Sequence, residues 1–175
     1  TSGTKLDNGT EIADHDFFGI NSEGMLTPYS ELGYPDSVIP KEFKDGVIIL
    51  NKEYKPGTPA SEVLKSNTPV IEYEITPNRA DCLSIIGMAR ESAASFGKKI
   101  TLPSLDYKEC EESIIELTEG LSLESDKCEK FILRAVTDVK VDRSPKWLQN
   151  YLMLAGMRPI DNIVDITNFV MLETG

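Results

Sequence analysis

The chain closes on Arg158 to Gly175, RPIDNIVDITNFVMLETG, and this run sets the tightest constraint on the fold. It is mostly apolar and must bury a face, yet it carries Asp161, Asn162, Asp165, Thr167 and Asn168. Polar groups buried among apolar ones cost stability unless they are paired or face a cavity. Read as a helix with Asp161 near its cap, the run places Ile163, Ile166 and Val170 on one buried face. Its several β-branched residues keep a strand as the competing reading. The pattern breaks off at Gly175, and the chain opens on Thr1 rather than Met. The expectation is therefore an internal segment of a longer protein.

The preceding stretch predicts a helix of ordinary kind. Ser144-Pro145 supplies an N-cap and a first-turn proline. Trp147, Leu148, Tyr151, Leu152 and Ala155 form the apolar face, and Gly156 stops the helix. Upstream, Phe131 to Val136 and Val139 to Val141 read as strand. Residues 109–126 carry seven acidic side chains and no basic one, and read as a solvated connection in which Ser113 to Leu117 forms a strand. Val70 to Ile75 alternates apolar and polar residues, the mark of a half-buried strand. Thr76-Pro77-Asn78 breaks it, and Asp81 caps a helix that buries Leu83, Ile86, Ala93 and Phe96 and ends at Gly97. Before residue 65, turn signals at Asp7-Asn8-Gly9, Ser22-Glu23-Gly24, Leu32 to Pro35 and Pro56-Gly57 separate short β-prone runs such as Gly46 to Leu50, which suggests a small β domain or part of one.

Composition narrows the function classes. With 40% hydrophobic and 27% charged residues the chain has a globular balance. No apolar run is long enough for a membrane span. Cys82, Cys110 and Cys128 are an odd number without C-x-x-C spacing, and His15 is the lone histidine. That argues against a zinc site and a disulfide framework, and for a reduced, cytoplasmic setting. A net charge of −11 repels phosphate on average, so tight nucleic-acid binding needs basic help from elsewhere. No glycine-rich phosphate cradle is present, and one histidine leaves little for a nucleophilic triad.

Two polar clusters remain. Asn78, Arg79 and Asp81 sit in a turn before a helix. Either they reach a ligand, or Asn78 and Asp81 satisfy backbone donors while Arg79 locks them by charge-assisted bonds; the second reading accounts for them better. Arg158, Thr167 and Asn168 are either a satisfied core set or one wall of a pocket. Thr and Asn are poor helix formers, so their place in a buried-faced helix needs a reason.

The stretches EITPNRADCLSIIGMARESAASFGKKITLP and SPKWLQNYLMLAGMRPIDNIVDITNFVMLETG resemble bacterial phenylalanyl-tRNA synthetase beta subunits. The patterns there run roughly I-T-P-N-R-x-D-C-L-S-x-x-G-x-A-R-E, then S-P-x-W-L, then G-x-R-P-I-N-N-x-V-D-x-T-N-Y-V-M-L-E. INSEGMLTPYSELGY resembles the end of that subunit's OB-type tRNA-binding domain. Asp161 and Phe169 depart from the usual Asn and Tyr, and Thr27-Pro28 from Cys-Ser. The resemblance implies an α+β segment of a multidomain subunit: residues 1–65 the end of an OB-fold domain, 66–105 a strand-helix unit, 106–128 an acidic connector and 129–175 the start of a B3/B4 editing domain. It implies Arg158, Thr167 and Asn168 as substrate-binding residues of an editing pocket, with no catalytic residue or metal ligand in this stretch. For the whole enzyme it implies ATP and magnesium, tRNA(Phe), and an alpha subunit in a tetramer of two alpha and two beta chains. The competing class is a non-catalytic OB-type module that docks tRNA or a protein; a third reading is a pure scaffold between domains.

Overall fold

A computed structural model describes residues 1–6, 8–50 and 52–175; Asp7, the first residue of the Asp7-Asn8-Gly9 turn signal, lies outside the described residues. The chain divides into two compact units, one formed by Thr1–Lys99 with Val141–Gly175 and the other by Ile100–Lys140. The architecture is α+β, with five α-helices and one two-stranded sheet among the described residues.

The larger unit opens on an antiparallel hairpin of β1 (His15–Phe17) and β2 (Ile20–Ser22), with Phe17 opposite Ile20. Its two-residue loop places Phe18 and Gly19 at φ 55 and 85°, the doubly left-handed geometry that matches the twist of the flanking strands. The Asp16 carboxylate accepts the Gly19 N–H at 2.9 Å and pins the loop. An isolated bridge, Lys5 to Glu11, is the other β pairing found. The expected OB portion is therefore not present as a barrel among the described residues. Closure is what removes sheet edges, and a lone hairpin with Phe17, Phe18 and Ile20 exposed supplies none. Gly46–Leu50 and Val70–Ile75, both expected as strands, carry no ladder either. A strand is defined by its neighbour, and neither run finds one.

What the larger unit has is a core drawn from short elements. Tyr29, Val38, Ile39, Phe43, Val63 and Leu64 pack together. Tyr29 and Phe43 come from two 3₁₀ turns, Tyr29–Leu32 and Lys41–Phe43, Val38 and Ile39 from the turn between them, and Val63 and Leu64 from α1 (Ala60–Leu64). Met153, far along the chain, completes the cluster. The rings of Tyr29 and Tyr34 meet edge-on at 5.2 Å.

The helix α2 (Ile85–Ser95) follows a 3₁₀ turn at Ala80–Cys82. Its cap is Ser84, whose hydroxyl accepts the Gly87 N–H at 3.0 Å, and not the expected Asp81, whose carboxylate is taken by Arg79. Gly87 is needed where it stands, because a Cβ there would lie 1.9 Å from the Asp81 carbonyl oxygen. Leu83 and Phe96, expected on the buried stripe, are exposed. Gly97, at φ 59°, ends the helix as expected.

The helix α4 (Lys146–Leu154) and the helix α5 (Asn162–Thr174) follow in the same unit, after the short α3 (Ile114–Leu117) of the other unit. Pro145, not Ser144, stands at the α4 cap. The α4 end closes on Gly156 at φ 81°, with the Met157 N–H reaching back to the Leu152 carbonyl at 2.8 Å. Asp161 caps α5 as expected; one carboxylate oxygen accepts the N–H groups of Ile163 and Val164, each at 3.0 Å. This resolves the competing strand reading in favour of helix. The buried face of α5 is not the expected Ile163, Ile166 and Val170, which are all exposed; the fully buried side chain is Asp165. The helix α5 packs against α2 and α4.

In the smaller unit, α3 (Ile114–Leu117) replaces the strand expected over Ser113 to Leu117, with Ser113 as its cap. Arg134 pairs with Glu109 at 3.3 Å and lies over the Tyr107 ring. Phe131–Val136, expected as strand, has no pairing partner and leaves Phe131, Ile132 and Val136 exposed.

Two substitutions check this packing by urea unfolding. Met153→Ala should cost about 2–5 kcal/mol, the usual range for emptying a packed core site. Gly87→Ala should also destabilise, by about 1–3 kcal/mol through overpacking against the Asp81 carbonyl, although alanine is the better helix former.

Candidate functional site

The loop between α4 and α5 carries Arg158. Its Nη2 donates to the Asp36 carbonyl at 2.7 Å, while its buried Nε has no hydrogen-bond partner among the described residues. Buried donors are normally satisfied, so this guanidinium keeps an unused directional group. Thr167 and Asn168 sit in the middle of α5. Thr167 is exposed and its hydroxyl donates to the Val164 carbonyl at 2.7 Å. Asn168 is half-buried. No hydrogen bond or ion pair joins Arg158 to either of them among the described residues. The three residues therefore share a scaffold, loop and helix, without being locked into a finished core set.

What fixes that scaffold is Asp165, which the sequence reading left without a role. Its carboxyl group accepts the Ser144 hydroxyl at 2.5 Å and the Ile160 N–H at 2.8 Å. Ser144 is thus spent on Asp165 instead of capping α4, and Gln149 donates to the Ser144 carbonyl at 2.6 Å. A second clasp lies alongside: the Asp142 N–H donates to the Asn162 side chain at 3.2 Å, and the Asn162 N–H to the Asp142 carbonyl at 2.9 Å. One signal was available beforehand. A carboxyl group between Val164 and Ile166 in an apolar run costs too much to be idle. Beside it, Phe169 meets Trp147 and Tyr151 edge-on at 5.7 and 5.4 Å, which aligns α5 on α4.

In the turn cluster Arg79 locks Asp81 by the expected charge-assisted bonds, but Asp81 does not cap α2. Arg79 grips Asp81 with two bonds of 3.0 and 2.9 Å and also reaches Glu91 at 2.6 Å and the Cys82 sulfur at 3.1 Å. The Arg79 bonds hold the Asp81 carboxyl down at about 2 and lower that of Glu91, while burial pushes the Cys82 thiol up. Asn78 is exposed and makes no side-chain hydrogen bond among the described residues. Ligand atoms of Asp81, Cys82 and Glu91 lie within 4.8 Å of one another, but one Arg79 nitrogen already sits within hydrogen-bond reach of all three. The set is built around a guanidinium.

A further contact joins α4 to the core: the Lys146 ammonium meets the Tyr29 hydroxyl and lies over its ring. Burial, with Arg143 nearby, lowers Lys146 to about 8; burial, with Tyr34 nearby, raises Tyr29 to about 12. The Asn150 amide donates to the Leu64 carbonyl at 2.6 Å on the same side of α4.

Residues 127–175 match the B3/4 domain family. Across 99% of its length the chain is 44% identical to the phenylalanine–tRNA ligase beta subunit of Clostridium tetani, 46% to that of Moorella thermoacetica and 43% to that of Streptococcus pyogenes. It covers 21 to 22% of each of these proteins, so the chain spans about a fifth of the length of the curated relatives it matches. Arg158, Thr167 and Asn168 fall within the stretch that matches the B3/4 domain family. Over nearly its whole length the chain is therefore similar to one stretch of phenylalanine–tRNA ligase beta subunits. No helix among the described residues is long and apolar enough to cross a membrane.

The Lys146–Tyr29 contact predicts a pH response. Lys146 has a folded value of about 8 against an ordinary 10.5, so the unfolded chain binds more protons between those values. Stability should rise with pH across that window, by roughly 1–2 kcal/mol after discounting for partial exposure. Tyr29 acts oppositely, and its contribution should be lost as pH climbs from 10 toward 12. Thermal melts from pH 7 to 10 should show the rise in the natural chain and a flatter profile in Lys146→Met.

Proposed function

We propose that the chain works as part of a phenylalanine–tRNA ligase beta subunit, and that its B3/4 portion helps to hydrolyse tRNA(Phe) carrying tyrosine by mistake. In that reading the whole enzyme charges tRNA(Phe) with phenylalanine using ATP and magnesium, and the activation chemistry belongs to an alpha subunit. The near-complete coverage of the chain by beta-subunit relatives carries the reading. The placement of the polar residues supports it: Thr167 is exposed, Asn168 half-buried, and Arg158 retains an unpaired Nε–H. The exposed Thr167 and half-buried Asn168 offer hydrogen-bonding groups to a terminal adenosine or an aminoacyl ester, with the buried Arg158 Nε behind them; none is a strong proton-transfer group.

The need for such a site is physical. A pocket shaped for phenylalanine rejects a ligand that adds one hydroxyl by only about 100-fold. A second site that accepts tyrosine and hydrolyses its ester to tRNA supplies the missing discrimination. Side chains held on a helix and a pinned loop suit that work, since fixed donors around a reacting ester cost no reorganisation during the reaction. The charge of −11 fits a role in which basic surface for tRNA comes from outside these residues.

In the complete enzyme, Arg158→Ala, Thr167→Ala and Asn168→Ala should each slow deacylation of Tyr-tRNA(Phe) by roughly tenfold, the order of one lost positioned contact, and leave phenylalanine charging near normal. Deacylation assays on the purified variants check this; unchanged rates in all three would remove the residues from the site. The isolated chain should show no ATP–pyrophosphate exchange with phenylalanine.

A further inference from the structure

We propose that Asp165 is a positioning residue of that hydrolytic site, holding the Arg158 loop at a fixed place beside the Thr167–Asn168 turn of α5. The inference rests on the site reading given above.

Asp165 is the one fully buried charged side chain type in α5, and it belongs to the first turn of that helix. Its two acceptor oxygens serve two different segments. One takes the Ser144 hydroxyl from the strand of chain entering α4, the other the Ile160 N–H from the loop leaving it. Ile160 is two residues after Arg158 and is separated from it by the buried Pro159, whose ring fixes the local φ. Asp165 is two and three residues before Thr167 and Asn168 in a continuous helix. The carboxyl group thus links the loop that carries Arg158 to the helix that carries the other two, alongside the Asp161 cap. The far end of Arg158 is tied separately, to the Asp36 carbonyl. With Asp165 removed, the Ile160 N–H and the Ser144 hydroxyl both lose their acceptor in the interior, and the loop is free to shift against α5. A shift of about 1 Å in a positioning group is worth up to about 100-fold in rate.

The variants separate geometry from simple stability. Asp165→Ala removes both acceptors. Asp165→Asn can keep both contacts, since its oxygen accepts from Ile160 while its amide donates to the Ser144 oxygen, with that hydroxyl turned away. Ser144→Ala removes one contact and leaves the Ile160 bond. The measurement is Tyr-tRNA(Phe) deacylation by the complete two-subunit enzyme, with kcat and KM determined separately and phenylalanine charging as the internal standard. The expected result for Asp165→Ala is a kcat lower by about 10- to 100-fold, with KM within about twofold and charging unchanged. Asp165→Asn should recover most of the rate. The deficit should persist on cooling, whereas a deficit from local unfolding shrinks as the temperature falls. Deacylation within twofold of the natural enzyme in Asp165→Ala, while Arg158→Ala or Asn168→Ala slows it, would overturn the positioning role and leave the site reading standing. If none of the Arg158, Thr167 and Asn168 variants slows deacylation, the site reading falls and this role falls with it. Should Asp165→Ala fail to assemble, Ser144→Ala decides: a several-fold loss of kcat with normal charging supports the role, and an unchanged rate overturns it.

Discussion

The carboxyl group of Asp165 is the contact on which the ordering of the C-terminal helices turns. It is fully buried, and it is accommodated because two donors from two other segments converge on it. Hydrogen bonds to groups of this kind are worth about 1.5–3 kcal/mol each, and an orphaned donor costs a similar amount. The arrangement is therefore all-or-none. Either the entry to α4, the loop after it and the first turn of α5 come together around this side chain, or the buried Ser144 hydroxyl and Asp165 carboxyl group and the part-buried Ile160 N–H lose their partners. Apolar packing alone would leave α5 free to slide on α4. A convergent polar contact fixes one register, and the edge-on rings of Trp147, Tyr151 and Phe169 are consistent with that register.

The second organising fact is that α4 is not confined to its own neighbourhood in sequence. Met153 completes a core otherwise drawn from Tyr29 to Leu64, Asn150 satisfies the Leu64 carbonyl, and Lys146 rests on Tyr29. Arg158 extends the same seam to Asp36. The residues proposed for substrate binding are thus mounted on a helix pair and its loop, braced by chain 86 to 122 positions earlier. Such bracing is what a site needs if its donors are to stay aimed when nothing is bound.

Parts of this were legible beforehand for clear reasons. Asp161 as the α5 cap and the Gly156 and Gly97 stops depend on local backbone chemistry, and local chemistry is written in neighbouring residues. The misplaced caps are more instructive. Ser144 and Asp81 are good capping residues, but Asp165, 21 residues away, takes the Ser144 hydroxyl, and Arg79, two residues away, takes the Asp81 carboxylate; the first competitor lies outside a local window and the second lies within it. The strands expected at Val70–Ile75 and Phe131–Val136 failed for the same kind of reason: alternation records a preference for a pleated, half-buried surface, and a ladder also needs a neighbour. The α5 face was misjudged because its apolar residues were assumed to point inward together. A single buried carboxyl group, with partners before and after α4, turned the helix about its axis. The family resemblance reached further than any of these local rules, but it names positions and does not say which side chain holds them still.

The exposed run Phe131–Val136 carries a consequence for how the polypeptide behaves in solution. It offers unpaired backbone amides and carbonyls along a stretch rich in apolar, β-prone side chains, the combination that templates pairing between molecules. Mutual repulsion from a charge of −11 opposes that encounter at low ionic strength. Added salt shortens the reach of the repulsion to about 10 Å at 0.1 M and less above it, while leaving the attraction intact. Colloidal stability of the isolated polypeptide is thus set by a balance between one sticky edge and a long-range field, and it weakens as the buffer becomes more concentrated.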